Sequence, residues 1–469
     1  MLFSSVMLPS LILSWLQHDG ELKAFATAMA IALLTGLLLW LPVRKRVEEL
    51  RLRDGFAVVA LFWTLLGLFG ALPLYLSNAI SLSFTEAAFE SLSGLTTTGA
   101  HIIVGLDDLP HSLLLYRHLL QWVGGMAIIV LAVAILPMLG VGGMQLYRVE
   151  TPGPIRDSKL TPRVAEAARA LWYIYLGLTV ACVLSYWLAG MTVFDAICHA
   201  FSTVSTGGFS THDASIGYFN SHVIEMICVA FMLLSGMNFA LHFLAVRKLS
   251  LRPYMQDAEL NMYLTILLLT AIVVVAYLLI EHVDRNFNIA FWHGIFQAIS
   301  IGTTTGFTTA SYHYWPGFLP IILIFVSFIG GCSGSTGGGI KVVRFLLLLK
   351  QGMRELRRLI HPRAQLNIKI NRMQLDERII EAVWGFFAAY VAVFSIMLVL
   401  LMVTGLDQVT AFSAVAACLN NLGPGLGEVG RNYADLSNFA KWTLCVAMLL
   451  GRLEIITLLV LFTPDFWRH

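Results

Sequence analysis

The sequence predicts an all-α polytopic membrane protein. We expect four fused units, each with a long helix, a short pore helix, a filter loop and a second long helix, after two extra N-terminal transmembrane helices. Three observations predict this fold. The 469-residue chain is 58% hydrophobic and only 12% charged, many apolar runs are long enough to cross a bilayer, and four short polar stretches recur between them. A soluble domain would carry about 25% charged residues.

The composition argues against several other classes of protein. A mean hydropathy of +0.78 is typical of a membrane protein, and a net charge of +2 does not indicate nucleic-acid binding. Residues 1–15 lack the basic start and cleavage site of a removed signal peptide. The six cysteines have no spacing typical of a zinc site or a disulfide framework. We therefore interpret them as small apolar side chains. They are Cys182, Cys198, Cys228, Cys332, Cys418 and Cys445.

Two kinds of apolar segment alternate along the chain. Long runs of roughly 20 residues predict membrane spans. They lie near 1–17, 24–42, 55–77, 112–139, 168–190, 221–246, 261–281, 316–330, 380–404 and 438–462. Shorter segments, too brief to span, lie at 82–95, 192–204, 288–301 and 407–419. The order long, short, long repeats at a spacing of roughly 100 residues, which predicts one structural unit used four times.

The repeat predicts five divisions of the chain. Residues 1–53 form the two leading transmembrane helices. The four pore units follow at 54–150, 151–256, 257–373 and 374–469, and the third contains an intramembrane glycine loop.

Lysine and arginine are concentrated in loops on one side of the predicted membrane. The cationic stretches are 43–54, 146–169, 246–254 and 341–378. They alternate with stretches of few cations at 101–111, 210–222 and 307–319. Cytoplasmic loops carry the excess of Lys and Arg. We therefore expect both termini in the cytoplasm and the four short helices entering from outside.

A polar, glycine-bearing stretch follows each short helix. The four stretches are Thr96–Ala100, Ser205–Phe209, Thr303–Phe307 and Asn420–Pro424. One copy alone is typical of a polar turn, but four copies at matched positions favour loops that line a pore. The fourth copy has asparagines where the others have Thr or Ser. We therefore expect a ring that is only pseudo-symmetric.

These residue types suit a cation filter. Backbone carbonyls of an irregular loop can replace the hydration shell of a cation without a fixed negative charge, and such backbone is tolerated at membrane depth where it lines a cavity. Glycine adopts backbone angles that other residues avoid, and threonine can add a hydroxyl ligand. The C-terminal end of each short helix would direct its negative dipole end toward the ion.

Several segments together resemble the Trk/Ktr/HKT superfamily of potassium transporters, and within it the bacterial Trk-type (TrkH-like) membrane subunits. They are the stretch 201–211 (FSTVSTGGFST), Glu150–Pro154, the segment Gly330–Lys341, and Arg452 in the last span. The resemblance covers essentially the whole chain. It implies a potassium-channel-like pseudo-tetramer within one chain, and the two leading helices are typical of the Trk branch.

The resemblance also implies a set of filter residues. The filter glycines fall on Gly99, Gly207, Gly306 and Gly423. Glycine at the first of these positions favours potassium over sodium in the family. The further carbonyl ligands that we expect are those of Thr97, Thr98, Thr206, Thr305, Asn421 and Leu422.

The resemblance implies a gate below the filter. In the family the glycine-rich segment is an intramembrane loop that blocks the closed pore. The gate residues expected here are Gly334, Gly337, Gly338, Gly339 and Arg452. A phosphate-binding loop is not expected, because Lys341 is not followed by Ser or Thr and no strand precedes the glycines.

Arg452 lies deep in the final apolar run, where a charge is costly and normally faces a cavity or a partner. In the pore it would repel a passing cation. The sequence also allows an ion pair with Glu454, or snorkelling to the cytoplasmic surface.

Other polar residues have less specific expectations. Four acids in the short segments could concentrate cations at the outer mouth: Glu86, Glu90, Asp195 and Asp407. Capping explains Asp195 and Asp407 equally well, and Glu90 is the candidate for a role near the filter. Three histidines are expected to hydrogen-bond between helices: His118, His199 and His242.

The expected function is potassium uptake across the bacterial inner membrane, and not catalysis, since no span carries an enzyme-like cluster of His, Asp and Glu. The resemblance implies a homodimer gated by a cytosolic nucleotide-binding (TrkA-like) ring, which Lys350–Arg363 could contact. We expect no covalent cofactor, potassium as substrate, and nucleotide only through the partner. Passive flow and symport both stay open. The alternative is an alternating-access carrier for another cation or solute.

Overall fold

The computed structural model describes residues 2–44, 52–130, 160–283, 286–364, 366–371 and 373–467. Parts of the cationic stretches 43–54, 146–169 and 341–378 therefore lie outside the described residues. So do the segment Glu150–Pro154 and the end of the span predicted at 112–139.

The described chain is α-helical apart from one short hairpin, as predicted. The helices of the N-terminal half are α1 (Leu8–Gln17), α2 (Leu22–Trp40), α3 (Leu52–Tyr75), α4 (Phe84–Leu95), α5 (His111–Val130), α6 (Leu160–Leu188), α7 (Val193–Val204), α8 (His222–Gly236) and α9 (Phe239–Lys248). Those of the C-terminal half are α10 (Arg252–Gln256), α11 (Ala258–Ile280), α12 (Phe287–Gly302), α13 (Leu319–Ile329), α14 (Val342–Ile360), α15 (Glu377–Val403), α16 (Gln408–Leu419), α17 (Asn438–Arg452), α18 (Ile455–Leu459) and α19 (Pro464–Trp467). Strands β1 (Lys369–Ile370) and β2 (Met373–Gln374) pair antiparallel.

Five helices of the described residues are long and apolar enough to cross a membrane, which confirms a polytopic membrane protein. They are 22–40, 54–75, 168–188, 258–280 and 377–403. Two other predicted spans are bent. The chain turns by 96° between α8 and α9, and by 113° between α17 and the helical segment that follows it.

The bends have local causes that apolar composition hides. After α8 the chain leaves helical geometry at Met237, and the side chain of Asn238 caps α9 by accepting from the Ala240 N–H at 2.9 Å. After α17, Glu454 has φ +63°, which no helix interior allows. The spans predicted as continuous at 221–246 and 438–462 are therefore each two helices.

The short helices α4, α7, α12 and α16 begin at polar caps. Ser83 forms a capping box with Glu86 at the start of α4. Thr192 caps α7, and Asp407 caps α16 by accepting from two backbone N–H groups at 2.9 and 3.1 Å. Such caps satisfy backbone donors at a helix start, so capping explains Asp407.

Each of these four helices packs between two neighbouring helices in the same way. Within its unit it contacts the preceding long helix, in the pairs α3 with α4, α6 with α7, α11 with α12, and α15 with α16. It also contacts the helix that follows the previous unit's loop region, in the pairs α5 with α7, α8 with α12, α13 with α16, and α17 with α4. The last pair joins the fourth unit to the first, so the four units close into a ring. The long span predicted at 316–330 is wrong in length, because α13 has only 11 residues before the chain leaves the helix at Gly330.

Candidate functional site

The four short helices end in the same backbone conformation. In each, an N–H bonds back to a carbonyl five residues earlier at 2.8 Å: Thr98 to Ser93, Gly207 to Ser202, Thr305 to Ser300, and Leu422 to Ala417. The residue before each of these has positive φ. We call these preceding residues the cap row: Thr97 (54°), Thr206 (52°), Thr304 (58°) and Asn421 (53°). This is a Schellman-type helix end, with a non-glycine residue where glycine is usual.

The cap row is strained in three of its four members. Threonine is β-branched, and a β-branched residue with positive φ is a genuine outlier. Such a conformation costs about 1–3 kcal/mol and persists only where the surroundings enforce it. Asparagine tolerates this conformation better, so Asn421 has the least strain of the four. An outlier repeated at equivalent positions indicates a functional constraint on all four loops.

Two further rows follow the cap row. The carbonyl row is Thr98, Gly207, Thr305 and Leu422, and the glycine row is Gly99 (φ 81°), Gly208 (76°), Gly306 (86°) and Gly423 (98°). A Cβ atom added to each glycine would overlap the carbonyl oxygen of the carbonyl row in the next loop: Gly99 with Gly207, Gly208 with Thr305, Gly306 with Leu422, and Gly423 with Thr98. The last contact returns to the first loop. The four loops therefore surround one axis in chain order.

The second loop differs from the sequence prediction by one residue. The prediction named Gly207 as the partner of Gly99, but the backbone places Gly208 at the equivalent position, because Gly208 has the positive φ and the contact with the third loop. Gly207 is instead a member of the carbonyl row. The sequence held a signal for this register: a phenylalanine follows Gly208, just as Phe307 follows Gly306.

The carbonyl oxygens of the cap and carbonyl rows have almost no donors. Of these eight oxygens, only that of Gly207 accepts a hydrogen bond from a described residue, from Gln121 Nε2 at 2.6 Å. All eight residues are buried. Buried carbonyls are normally paired, and a ring of unpaired ones is a ligand set suited to a cation. In the glycine row, the Gly423 oxygen already accepts from the Tyr433 hydroxyl at 2.6 Å.

The segment 330–341 lies directly against the helix-side ends of three loops. The Gly338 N–H donates to Thr304 Oγ1 at 2.6 Å, and the Gly339 N–H donates to the Asn420 carbonyl at 3.1 Å. Thr336 Oγ1 donates to the Val204 carbonyl at 3.1 Å. We call this segment the gate loop. It lies against the ring on the side opposite the glycine row.

The predicted gate glycines have different positions. Gly337, Gly338 and Gly339 face the ring, and a Cβ on Gly337 would lie 3.1 Å from the Thr303 carbonyl oxygen. The Gly334 carbonyl instead accepts from the Phe239 N–H at 3.1 Å, at the bend between α8 and α9. The gate loop is thus attached to the second unit as well as facing the ring.

Arg452 contacts the gate loop. Its side chain is buried, and Nη1 donates to the Thr336 carbonyl at 2.9 Å. The alternative ion pair with Glu454 does not form, because Glu454 binds Arg344 at 2.6 Å. Nε and Nη2 of Arg452 have no partner among the described residues. Arg452, Arg344, Lys341 and the gate glycines line a cavity with an empty volume of about 630 Å³, counting its solvent-open part.

Sequence reasoning missed Glu259 at the start of α11. Its carboxylate is buried and accepts from the Ser333 N–H at 2.5 Å and the Val343 N–H at 3.2 Å. These two donors stand near the two ends of the gate loop. An acid in the first turn of a helix is usually explained by the helix dipole, so the sequence carried no signal for this contact.

The remaining acidic candidates are bonded to neighbouring side chains. Glu86 pairs with Lys441 at 2.9 Å, and Glu90 pairs with Arg117 at 2.7 Å. Asp195 accepts from the hydroxyls of Thr192 and Thr211, each at 2.7 Å.

Only one of the three histidines has the predicted contacts. His242 bonds between helices, to the Leu234 carbonyl and the Tyr254 hydroxyl, each at 2.8 Å. His118 bonds within its own helix, and His199 bonds within its helix and to Ser210 Oγ.

Comparisons with known proteins agree with this architecture. A family model described as TrkH, cation transport protein, matches residues 21–468. The Trk system potassium uptake protein TrkH of Halomonas elongata is 57% identical over 468 residues, covering 100% of this chain and 97% of that protein. The protein TrkG of Escherichia coli is 42% identical, covering 100% and 96%. The crystal structure of the potassium transporter TrkH from Vibrio parahaemolyticus matches with a TM-score of 0.93 and 52% identity, covering 100% and 97%.

Proposed function

Because this chain belongs to the TrkH family of cation transport proteins, we propose that it takes up potassium through a pore on the axis of its four loops. The similar proteins named above are potassium uptake proteins by name. The proposal places the chain in a bacterial inner membrane, with both termini in the cytoplasm and the short helices entering from outside.

One observation carries the proposal: the ring of eight buried carbonyls, seven of which accept no hydrogen bond from a described residue. A potassium ion on the axis would replace its water shell with these oxygens. The cap and carbonyl rows are the proposed ligands, and the negative ends of four helix dipoles add to the attraction. This set keeps the predicted Thr97, Thr98, Thr206, Gly207, Thr305, Asn421 and Leu422, and adds Thr304. Gly99, Gly208, Gly306 and Gly423 allow the close approach of neighbouring loops.

The gate loop and Arg452 are the proposed barrier. The loop occupies the axis below the ring, and the buried guanidinium adds a positive charge there. The structure thus fits a closed pore, which must move the loop before ions pass.

Opening is proposed to depend on a cytosolic partner. Helix α14 exposes Leu349, Met353 and Leu356 together with Arg357 and Arg358. This basic, partly apolar surface directly follows the gate loop, overlaps the predicted contact Lys350–Arg363, and is the proposed contact with a nucleotide-binding ring. Assembly as a homodimer belongs to the same proposal, and ion coupling stays open between symport and passive flow.

Rubidium uptake into proteoliposomes tests the proposal. We expect uptake that competes with potassium and is little affected by sodium or an organic solute. The Gly99→Ser variant should lose roughly tenfold in its preference for rubidium over sodium, because the added side chain displaces the Gly207 carbonyl. Unchanged preference would contradict the filter assignment. Inhibition of rubidium uptake by an organic solute would favour an alternating-access carrier.

A further inference from the structure

Each short helix has an equivalent position six residues before its polar stretch. The occupants are Glu90, His199, Gln297 and Ala414. Three of these side chains hydrogen-bond to a residue that follows the loop of the same unit. We call this the brace position, and its occupants differ in charge.

The first unit carries an ion pair at the brace position. Glu90 Oε2 accepts from the Ile102 N–H at 2.8 Å, just past the first loop. Glu90 Oε1 accepts from Arg117 Nε at 2.8 Å and lies 2.7 Å from Nη2. Both side chains are at most 1% exposed. The pair therefore fixes the exit of the first loop to helix α5.

Arg117 also contacts the second loop. Its guanidinium carbon lies 4.3 Å from the centre of the Phe209 ring, the residue after Gly208. One turn further along α5, Gln121 accepts from the Phe209 N–H at 3.2 Å and donates to the Gly207 carbonyl. The chain of contacts from Ile102 through Glu90 and Arg117 to Phe209 joins two neighbouring loops.

The other units have braces without an ion pair. His199 Nε2 lies 2.9 Å from Ser210 Oγ, and Gln297 Nε2 lies 3.5 Å from the Ala310 carbonyl. In the fourth unit the neighbouring Ser413 bonds to the Leu426 N–H at 2.8 Å. Among these braces of the described residues, only the first has a charged pair. The His199 ring also reaches the next loop, with 6.1 Å between its centroid and that of Phe307, but it does so without an ion pair.

Stability alone does not account for a fully buried ion pair. Desolvation of both charges offsets their attraction, and well-packed apolar residues would often be as stable. Charged hydrogen bonds are shorter and more directional than neutral ones. A pair of this kind is suited to fixing a distance between two backbone segments.

We infer that Glu90 and Arg117 are a positioning pair that sets the spacing of the first two loops and thereby the preference for potassium over sodium. This inference rests on the proposed function. A carbonyl cage selects an ion by the number and arrangement of its ligands. A change in the spacing of two loops therefore affects the two ions differently.

The double variant Glu90→Gln/Arg117→Met tests the inference without leaving a buried charge unpaired. Rubidium and sodium fluxes are measured in proteoliposomes for the full chain, with size exclusion and thermal unfolding in detergent as folding checks. We expect the rubidium-to-sodium flux ratio to fall roughly tenfold, since the loss of one charged hydrogen bond changes an equilibrium by about that factor. Gln297→Met, the same position in the third unit, is the matched control and should change the ratio far less.

The outcomes separate the inference from the proposed function. A selective parent with an unchanged ratio in a folded double variant overturns the positioning pair. A fall in both fluxes at constant ratio also overturns it, because that pattern indicates a structural role only. An equal fall in Gln297→Met overturns the special role of the charged pair. An unselective parent protein would instead contradict the proposed function.

Discussion

The ring of four loops is a repeated structure, whereas the gate loop is a single segment. Each loop of the ring repeats the backbone of the others although the sequences TTTG, STGG, TTTG and NNLG differ. Among the described residues, a segment like the gate loop occurs once, in the third unit. Selection of an ion needs equivalent ligands around an axis, whereas one segment is enough to obstruct that axis. In the proposed function, symmetry is therefore kept where the ion would bind and is absent where the pore would be blocked.

The two regions also differ in their hydrogen bonds. The cap and carbonyl rows have one bonded oxygen among eight in the described chain. The gate loop is tied to its surroundings, for example from the Cys332 N–H to the Gly236 carbonyl at 2.9 Å and from the Thr336 N–H to the Ser235 carbonyl at 3.3 Å. The gate loop must therefore break hydrogen bonds to move, whereas seven of the eight ring oxygens accept none from a described residue.

The largest effect on rubidium flux is expected for a substitution of Gly208, in contrast to one of Gly207. Gly208→Ala should reduce rubidium flux by at least about tenfold, because it adds strain of about 1–3 kcal/mol at a positive φ and overlaps a backbone carbonyl. The three atoms nearest to a Cβ on Gly207 all belong to the Gln121 side chain, so combining Gly207→Ala with Gln121→Ala should relieve the overlap and restore part of the flux. Rubidium uptake at equal reconstituted protein measures both. A greater loss of rubidium flux in the Gly207→Ala/Gln121→Ala double variant than in Gly208→Ala would indicate that Gly207, and not Gly208, is the filter glycine of the second loop.

Much of the ring was predictable because its signals are local and repeated. Short apolar segments followed by polar, glycine-bearing stretches predicted the four units. The register of the second loop was not predictable from spacing alone, because Gly207 and Gly208 are adjacent and either can adopt positive φ. The strained threonines were equally hidden, since β-branched residues rarely adopt that conformation.

The contacts around the gate loop were less predictable because they are distant in sequence. Glu259 and Ser333 are 74 residues apart, and Arg452 and Thr336 are 116 apart. Arg452 was found because a charge in an apolar run is conspicuous. Glu259 was not, because acids are ordinary at a helix start. The resemblance to a known family, and not a local pattern, predicted the blocking role of the glycine segment.

A smaller effect is expected at the gate, and in the opposite direction. Arg452→Ala should raise rubidium flux roughly fivefold, the factor for about 1 kcal/mol, because it removes a buried charge and a bond to Thr336. The rubidium-to-sodium ratio should stay unchanged, since the ring is untouched. Arg354→Ala is the control, because Arg354 pairs with Glu377 outside the cavity. Unchanged rubidium flux in Arg452→Ala would show that this residue is not part of the gate.

The smallest effect that we expect is at Glu259. Glu259→Gln keeps one acceptor oxygen but weakens the bonds to Ser333 and Val343, because hydrogen bonds to a charged group are stronger than neutral ones. A loss of roughly 0.6 kcal/mol in the closed state would raise basal rubidium flux about threefold. Rubidium uptake without any cytosolic partner measures this, and the rubidium-to-sodium ratio should not change.

Glu225→Gln makes the same chemical change at an acid that bonds His222, away from the gate loop. It should leave basal flux unaltered, so an equal rise in both variants would point to a general loosening of the helices. A lower ratio in Glu259→Gln would mean that the gate loop also shapes the ligand ring. The contacts of Gly338 and Gly339 with Thr304 and Asn420 provide the route for such coupling. Flux and selectivity measured together therefore decide whether gate and ring act separately.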